Sequence, residues 1–185
     1  MWSGNKSGAD TTEMFMYKMY PDSTISERTF SFYMTGLSGQ SYIDFGTPNT
    51  AIMTSASDIL WMNILSEDYW WSQYITGFKW GSTMNDATEY KIDTISALTD
   101  TGTSCIIGPT SAVASIRNQI LNLATNVSTS SSWDYLFDCS SKSSFPEFEL
   151  LYGGYWFKVT ADDYTIEVSS SSQTCALCLS AYDNL

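Results

Sequence analysis

The chain has 185 residues, 43% hydrophobic and 15% aromatic, so it is long and apolar enough to fill a core. Its 20 acidic and 8 basic residues leave a net charge of −12, which argues against nucleic-acid binding. It has no histidine, which excludes a Ser-His-Asp triad, a Cys-His nucleophile pair and a His-ligated metal within this chain.

The ends of the chain show no targeting or membrane segment. No apolar run approaches the ~18 residues of a membrane span. The first residues, Met1-Trp2-Ser3-Gly4-Asn5-Lys6, lack the apolar run of a signal peptide. Protonation of the many carboxylates in acid would reduce repulsion across the surface, which is compatible with an acidic compartment.

The first half of the chain is predicted to contain one short helix followed by strands. The helix covers residues 11–20, with Thr11 or Thr12 as its cap and Pro21 after its end. Period-two patterns then predict strands at residues 30–34, 42–46, 61–65 and 69–78, with a turn at residues 80–85.

The second half is predicted to be mainly strands around one helix. A strand at residues 92–99 precedes Asp100, and a helix begins after Gly108-Pro109, capped by Thr110 or Ser111. Its buried stripe is Val113, Ile116, Ile120 and Leu123. A polar loop follows at residues 128–132. A hairpin is predicted at residues 145–152 and 155–159 around Gly153-Gly154, followed by strands at residues 164–168 and near residues 178–180. The class is mainly β with two short helices.

Asp100-Thr101-Gly102-Thr103-Ser104 is the stretch best suited to chemistry. It places a carboxylate at the end of a strand, with a glycine that permits close approach and hydroxyls that can orient the carboxylate. Taken alone, Asp-Thr-Gly fits an Asx-type turn between strands better than an active site. The flanking residues reverse this preference.

The four cysteines are Cys105, Cys139, Cys175 and Cys178. Cys175 and Cys178 have the C-x-x-C spacing of zinc sites, but a zinc site would need a second such pair. A disulfide between Cys139 and either Cys175 or Cys178 is favoured. It would fit an exported protein, as do the glycosylation sequons at Asn5 and Asn126.

The chain resembles the C-terminal lobe of the pepsin-like aspartic proteases. The Asp100–Ser104 stretch, followed by Gly108-Pro109-Thr110-Ser111 and a helix, is similar to the second active-site segment of that family. Further motifs fall in the family's order along nearly the whole chain: Phe30-Ser31-Phe32-Tyr33-Met34, Phe45-Gly46, Tyr69-Trp70, Cys139, Phe145-Pro146-Glu147-Phe148, Tyr164-Thr165-Ile166 and Cys178-Leu179-Ser180.

The resemblance implies a fold and its limits. Residues 1–185 would form one closed, barrel-like β lobe with two short helices. The chain looks truncated at both ends, without the N-terminal lobe and its flap and without the final strand of this lobe. The disulfide implied by the resemblance joins Cys139 and Cys178. Cys105 and Cys175 are additional to that pair, and Cys105 is expected to be a core thiol.

The resemblance also implies a function. Asp100 would be one of two catalytic aspartates in acid-pH peptide hydrolysis. Thr101, Gly102, Thr103, Ser104 and Tyr69 would support the site and bind substrate. No metal or cofactor is expected, the partners are a polypeptide substrate and the missing lobe, and the isolated chain is expected to be inactive. The location would be secreted, or lysosomal or vacuolar. The alternatives are a non-catalytic binding module on the same scaffold and a retroviral-type homodimeric protease.

Overall fold

The structure, a computed structural model, describes residues 15–20, 25–35, 39–65, 70–81 and 88–183. Contacts between residues divide the chain into two compact units, residues 2–70 and residues 71–185, and each is described by itself. The architecture is mainly β, as predicted. That residues 1–185 form a single lobe stays a prediction.

The first unit contains a short helix and a two-stranded sheet. Helix α1 is Phe15–Met19, within the predicted helix, whose residues 11–14 lie outside the described residues. Strands β1 (Phe30–Tyr33) and β2 (Tyr42–Phe45) pair antiparallel, with Tyr33 opposite Tyr42 and their rings stacked at 5.0 Å. Both strands confirm the predictions for residues 30–34 and 42–46.

The strand predicted at residues 61–65 is wrong. Two short 3-10 helices, Thr50–Ile52 and Ala56–Asp58, precede this segment, and residues 61–65 then run without regular secondary structure. Trp61 is 72% exposed. Its aromatic and β-branched neighbours favour a strand, but a strand also needs a partner, and none of the described strands pairs with this segment.

The second unit contains nine described strands and helix α2 (Thr110–Leu121). In chain order the strands are β3 (Ser72–Gly81), β4 (Thr88–Leu98), β5 (Ile106–Gly108), β6 (Leu136–Asp138), β7 (Glu147–Tyr152), β8 (Tyr155–Val159), β9 (Thr165–Ser169), β10 (Thr174–Leu177) and β11 (Leu179–Ala181). The turn predicted at residues 80–85 is wrong for Trp80 and Gly81, which belong to β3, and residues 82–87 lie outside the described part.

These strands form three sheets rather than the closed barrel-like lobe that the resemblance implied. The largest sheet is antiparallel, in the order β4-β3-β7-β8. The second has the order β6-β10-β9, and β5 pairs with β11 as the one parallel pair among the described strands. The sheets share a core, but no strand ladder in the described residues closes on itself.

The hairpin between β7 and β8 follows the predicted turn. Gly153 and Gly154 have φ values of 56° and 89°, in the left-handed region that a two-residue hairpin turn requires. The two-glycine turn therefore sets the register of β7 against β8, with Tyr152 opposite Tyr155.

Helix α2 begins where predicted, but its cap differs. The N-cap residue is Pro109, which offers no side-chain hydrogen bond, so neither Thr110 nor Ser111 caps the helix. The stripe is also shorter than expected. Val113 and Ile120 are buried and Ile116 is half-buried, whereas Leu123 is 46% exposed because the helix ends at Leu121.

The core lies between α2 and the sheets. Its buried members are Val113, Ile120, Phe137, Phe145, Phe148, Tyr164, Cys175, Leu177 and Leu179. Tyr164 is fully buried, and its hydroxyl donates a 2.7 Å hydrogen bond to the Pro146 carbonyl, so its polar tip is satisfied. Burial raises the pKa of Tyr164, with the negative charge of Glu147 as a second cause. Trp80 Nε1 donates to Gln119 Oε1 at 2.7 Å and ties the large sheet to α2.

Candidate active site

The candidate site lies in the loop that follows β4, a strand of the large sheet. One residue beyond its end, the Thr99 backbone N–H donates to the Trp71 carbonyl at 3.0 Å, which continues the pairing of β3 with β4. The Thr99 hydroxyl shares a 2.9 Å hydrogen bond with the Tyr152 hydroxyl. The start of the loop is therefore held by backbone and side chain together.

The loop residues themselves orient the Asp100 carboxylate. Oδ1 accepts the Gly102 backbone N–H at 2.9 Å, and Oδ2 accepts the Thr103 hydroxyl at 2.6 Å. The Thr103 backbone N–H also donates to the Asp100 carbonyl at 3.2 Å. Each carboxylate oxygen thus has one donor from the loop, and the carboxylate plane is fixed.

These hydrogen bonds favour the ionised form of Asp100. The Thr103 hydroxyl, and after it the Gly102 N–H, lower the pKa of Asp100 below its ordinary value. Both donors stabilise negative charge more than they stabilise a neutral acid. Asp100 in this structure therefore stays ionised to a lower pH than an ordinary aspartate.

Gly102 is required by close approach. A Cβ atom at this position would lie 3.2 Å from Asp100 Oδ1, tighter than an ordinary contact. A larger residue would displace either the carboxylate or the N–H that binds it. The reason for glycine is steric, because any residue except proline would offer the same backbone N–H.

The exit from the loop is held by partners far away in sequence. Strand β5 pairs with β11, and the Ile106 N–H donates to the Cys178 carbonyl at 3.1 Å. Next to this contact, a disulfide joins Cys105 to Cys178, with Cα atoms 4.7 Å apart. Cys105, the residue after Ser104, is therefore covalently bound to the junction of β10 and β11.

The cysteine pairing corrects the expected one. The structure pairs Cys139 with Cys175, not with Cys178, and Cys105 is not a free core thiol. β10 pairs Cys175 with β6, whereas Cys178 immediately precedes β11, which pairs with β5, so the two sulfurs of the C-x-x-C motif have different partners. All four sulfurs are paired in disulfides, so neither cysteine of the motif is a free thiol in this structure.

Asp183 supplies the cap that α2 lacks locally. Its Oδ1 accepts the Thr110 backbone N–H at 2.7 Å, and hydrogen bonds from the backbone and the side chain of Thr110 lower the pKa of Asp183. A carboxylate at a helix N-terminus is also favoured by the helix dipole. The start of α2 is thereby tied to the segment after β11, beside the exit of the loop.

The structure brings only some of the predicted site residues into contact with one another. Asp100, Gly102 and Thr103 form one hydrogen-bonded unit, whereas the side chains of Thr101 and Ser104 are exposed. Tyr69 lies outside the described residues. Asp100 is half-exposed, so its carboxylate is open to solvent and to a second group.

Sequence reasoning missed four contributors: Thr99, Tyr152, Asp183 and the Cys105–Cys178 bond. The number of cysteines could have predicted the Cys105–Cys178 disulfide, because one disulfide among four cysteines leaves two cysteines that can form another. Thr99 and Tyr152 are 53 residues apart and Thr110 and Asp183 are 73 apart, and no local pattern signals either contact.

Within the described residues, no three His, Cys, Asp or Glu side chains group closely enough to hold a metal ion. The longest described helix, α2, has 12 residues, and no described helix is long and apolar enough to cross a membrane.

Comparisons with known proteins give consistent results. A family model described as eukaryotic aspartyl protease matches residues 3–185. Pepsin-3 of Oryctolagus cuniculus is 28% identical over 181 residues, which is 97% of this chain and 42% of the rabbit protein. Vacuolar protease A of Neurospora crassa is 27% identical over 166 residues, 90% of this chain and 37% of the fungal protein. Cathepsin D of Canis lupus familiaris is 33% identical over 86 residues, 46% of this chain and 19% of the dog protein. The chain spans about two fifths of the length of the first two of these curated relatives.

Proposed function

The chain belongs to the eukaryotic aspartyl protease family, and we propose that it supplies one of the two catalytic aspartates, Asp100, of an acid-pH endopeptidase. The observation that carries this proposal is the Asp100 carboxylate, bound by Gly102 and Thr103 on a half-exposed loop at the end of β4. The family match around this loop covers almost the entire chain.

The chemistry requires a second carboxylate. A pair of carboxyl groups close together shares one proton, because two like charges in contact cannot both ionise easily. The ionised member accepts a proton from a water molecule as the water attacks the peptide carbonyl carbon. The protonated member donates its proton to the carbonyl oxygen.

The contacts of Asp100 support the proposal that it needs a second carboxyl group. With the pKa lowered by Thr103 and Gly102, the single carboxylate is a base without an accompanying acid. A second aspartate, carried by an N-terminal lobe, would complete a pair that shares one proton and so provides both the base and the acid. The pair then titrates as a unit, so neither role belongs to Asp100 by itself.

The neighbouring residues take supporting roles in this proposal. The exposed Thr101 hydroxyl reaches the backbone of the partner lobe and locks the two loops together. The Gly102 carbonyl and the Ser104 hydroxyl bind the backbone of a polypeptide substrate, and Tyr69 lines the substrate pocket. Thr103 holds Asp100 through its 2.6 Å bond.

The proposed location is outside the cell or in a lysosomal or vacuolar compartment. Two disulfides in the structure fit an oxidising export route. The Neurospora crassa relative is named a vacuolar protease, which agrees with the proposed acidic compartment.

The test uses the longer polypeptide in which this chain follows an upstream Asp-Thr-Gly or Asp-Ser-Gly segment. It should cleave a denatured protein substrate at acid pH, inhibited by pepstatin, and Asp100→Asn should lower kcat by at least about 10³-fold. Asp134→Asn, at an exposed position on another loop, is the matched control and should leave kcat unchanged. Cleavage that survives Asp100→Asn would overturn the proposal.

The 185-residue chain by itself distinguishes the alternatives. As a monomer it should show no Asp100-dependent cleavage. Activity that rises with the square of chain concentration and is lost in Asp100→Asn would instead indicate a homodimeric protease. Tight binding of peptide by the longer polypeptide without any cleavage would indicate a binding module.

A further inference from the structure

A glycosylation sequon occupies an exposed turn after α2. Asn126-Val127-Ser128 lies five residues beyond the helix end at Leu121, and all three residues are exposed. Asn126 has φ of 55°, a left-handed conformation that asparagine tolerates better than most residues. The exposed segment continues through Ser132, which leaves open space for a bulky group.

The turn is held in place independently of the Asn126 side chain. The Thr125 backbone N–H donates to Ser141 Oγ at 3.0 Å, and the Asp138 N–H donates to the Thr125 carbonyl at 3.0 Å. Ser128 exchanges two backbone hydrogen bonds with Leu136, at 2.9 and 2.8 Å. A group added to Asn126 therefore meets a defined turn.

The amide of Asn126 is compatible with a substituent. Its Nδ2 carries two hydrogens and donates one hydrogen bond, at 2.6 Å, to Asp138 Oδ2. Attachment of a sugar replaces one hydrogen and leaves the other for Asp138. The folded turn can keep this contact in the modified protein.

Two apolar side chains beside Asn126 gain cover from a glycan. Leu123 is 46% exposed and Val127 is 45% exposed, on either side of the asparagine. Isolated exposed apolar residues are ordinary, but a hydrophilic oligosaccharide at this position would shield both from contact with other molecules.

The disulfides point to the compartment in which this modification occurs. Cys105–Cys178 and Cys139–Cys175 form under oxidising conditions, which belong to the same export route as oligosaccharide transfer to sequons. A cytosolic chain would present the same sequon without access to the transferase.

We propose that Asn126 is an N-glycosylation site in the exported protein. The donor is an oligosaccharide linked through pyrophosphate to a lipid. A bond forms between Asn126 Nδ2 and C1 of the first sugar, the C1–O bond to the pyrophosphate breaks, and the lipid pyrophosphate leaves as one Nδ2 proton is released. The site does not depend on the proposed proteolytic function.

The position leaves the candidate active site open. Helix α2 has 12 residues and spans about 18 Å, with Gly108-Pro109 and the Asp100 loop at its start and the sequon beyond its end. The sequon thus follows the C-terminal end of α2, whereas the Asp100 loop precedes its N-terminal end.

The test is secretory expression of the chain in a eukaryotic host, followed by enzymatic release of N-glycans in ¹⁸O-water and mass spectrometry. Release converts a glycosylated asparagine to ¹⁸O-labelled aspartate. Trypsin gives one peptide from Asn118 to Lys142, in which Asn118 and Asn122 lie outside sequons and act as internal controls. Both secreted and retained material are analysed, because transfer precedes folding.

Label is expected at Asn126 in the unchanged chain and in Ser128→Thr, and none in Ser128→Ala. Ser128→Ala keeps Asn126 and the two backbone bonds to Leu136, so the variant tests the sequon rather than the turn. An unlabelled Asn126 in the unchanged chain, with a co-expressed glycoprotein labelled in the same cells, would overturn the proposal.

Discussion

At the level of single residues, the candidate site depends on donors that lie within three positions of Asp100. Gly102 provides a backbone N–H and Thr103 a hydroxyl, one to each carboxylate oxygen. Ser104 is adjacent and exposed, and the described hydrogen bonds to the carboxylate come from Gly102 and Thr103. The position of a hydroxyl in the motif, not the number of hydroxyls, decides which one orients the carboxylate.

Thr103→Val tests this assignment. The variant keeps the shape of the side chain but removes the hydroxyl that donates to Oδ2, so the pKa of Asp100 should rise towards its ordinary value. The measurement is a carboxyl-carbon NMR titration of Asp100 in the 185-residue chain. Ser104→Ala is the matched control and should leave the pKa of Asp100 unchanged. An equal rise in both variants would contradict the assignment.

The same variant has a pH-dependent effect on stability. Because the pKa of folded Asp100 lies below its unfolded value, the carboxylate stabilises the fold above the unfolded pKa. That contribution disappears as pH falls through the folded pKa. The difference in unfolding free energy between the unchanged chain and Thr103→Val should therefore be largest near neutral pH and shrink in acid.

At the level of elements, the loop is held unequally at its two ends. Its entrance follows β4, an 11-residue strand paired with β3. Its exit leads into β5, a three-residue strand paired with the equally short β11. The Cys105–Cys178 disulfide lies at the weaker end, where few ladder hydrogen bonds hold the loop.

Loss of the Cys105–Cys178 bond should loosen the loop selectively. Replacing both cysteines by alanine should lower the unfolding free energy by about 2–4 kcal/mol and speed amide exchange at Gly102 and Thr103. The measurements are chemical denaturation and residue-resolved hydrogen exchange. The matched control replaces Cys139 and Cys175 by alanine, which removes the disulfide between β10 and the 3-10 helix Cys139–Ser144. That control should lose stability without faster exchange at Gly102 and Thr103, and a similar acceleration in both variants would contradict the positioning role.

At the level of the whole molecule, the net charge sets the electrostatic repulsion between copies of the chain. The 20 acidic residues against 8 basic ones give a calculated isoelectric point near pH 4.1, within the acidic range in which the proposed enzyme works. Electrostatic repulsion between molecules disappears at that pH, while exposed apolar side chains such as Trp61 remain.

Solubility should consequently be lowest near pH 4.1 and recover on either side. Light scattering at constant ionic strength, from about pH 3 to about pH 7, measures this. The combined variant Asp134→Asn and Glu167→Gln removes two exposed acids and should move the minimum to higher pH. A minimum that does not move would show that charge neutralisation is not the cause.

Short-range features were predictable from the sequence. The glycine hairpin, the start of α2, the alternating strands and the Asp100 loop each depend on residues within a few positions of one another, so neighbouring residues carry the information. The motifs in these stretches also predicted the protein family, which the family-model match over residues 3–185 confirms. The strand predicted at residues 61–65 shows the limit, because local propensity does not provide a partner strand.

Long-range features were decided by the tertiary structure alone. Asp183 caps α2 across 73 residues, Cys105 binds Cys178 across the same separation, and Tyr152 reaches Thr99 across 53. These contacts accompany the pairing of β7 with β3, the neighbour of β4, and of β11 with β5, and no local pattern specifies such pairings. The sequence by itself determined the catalytic-type motif and the turn that orients its carboxylate. The packing of distant strands determined what holds that turn, because those strands bring its partners within bonding distance.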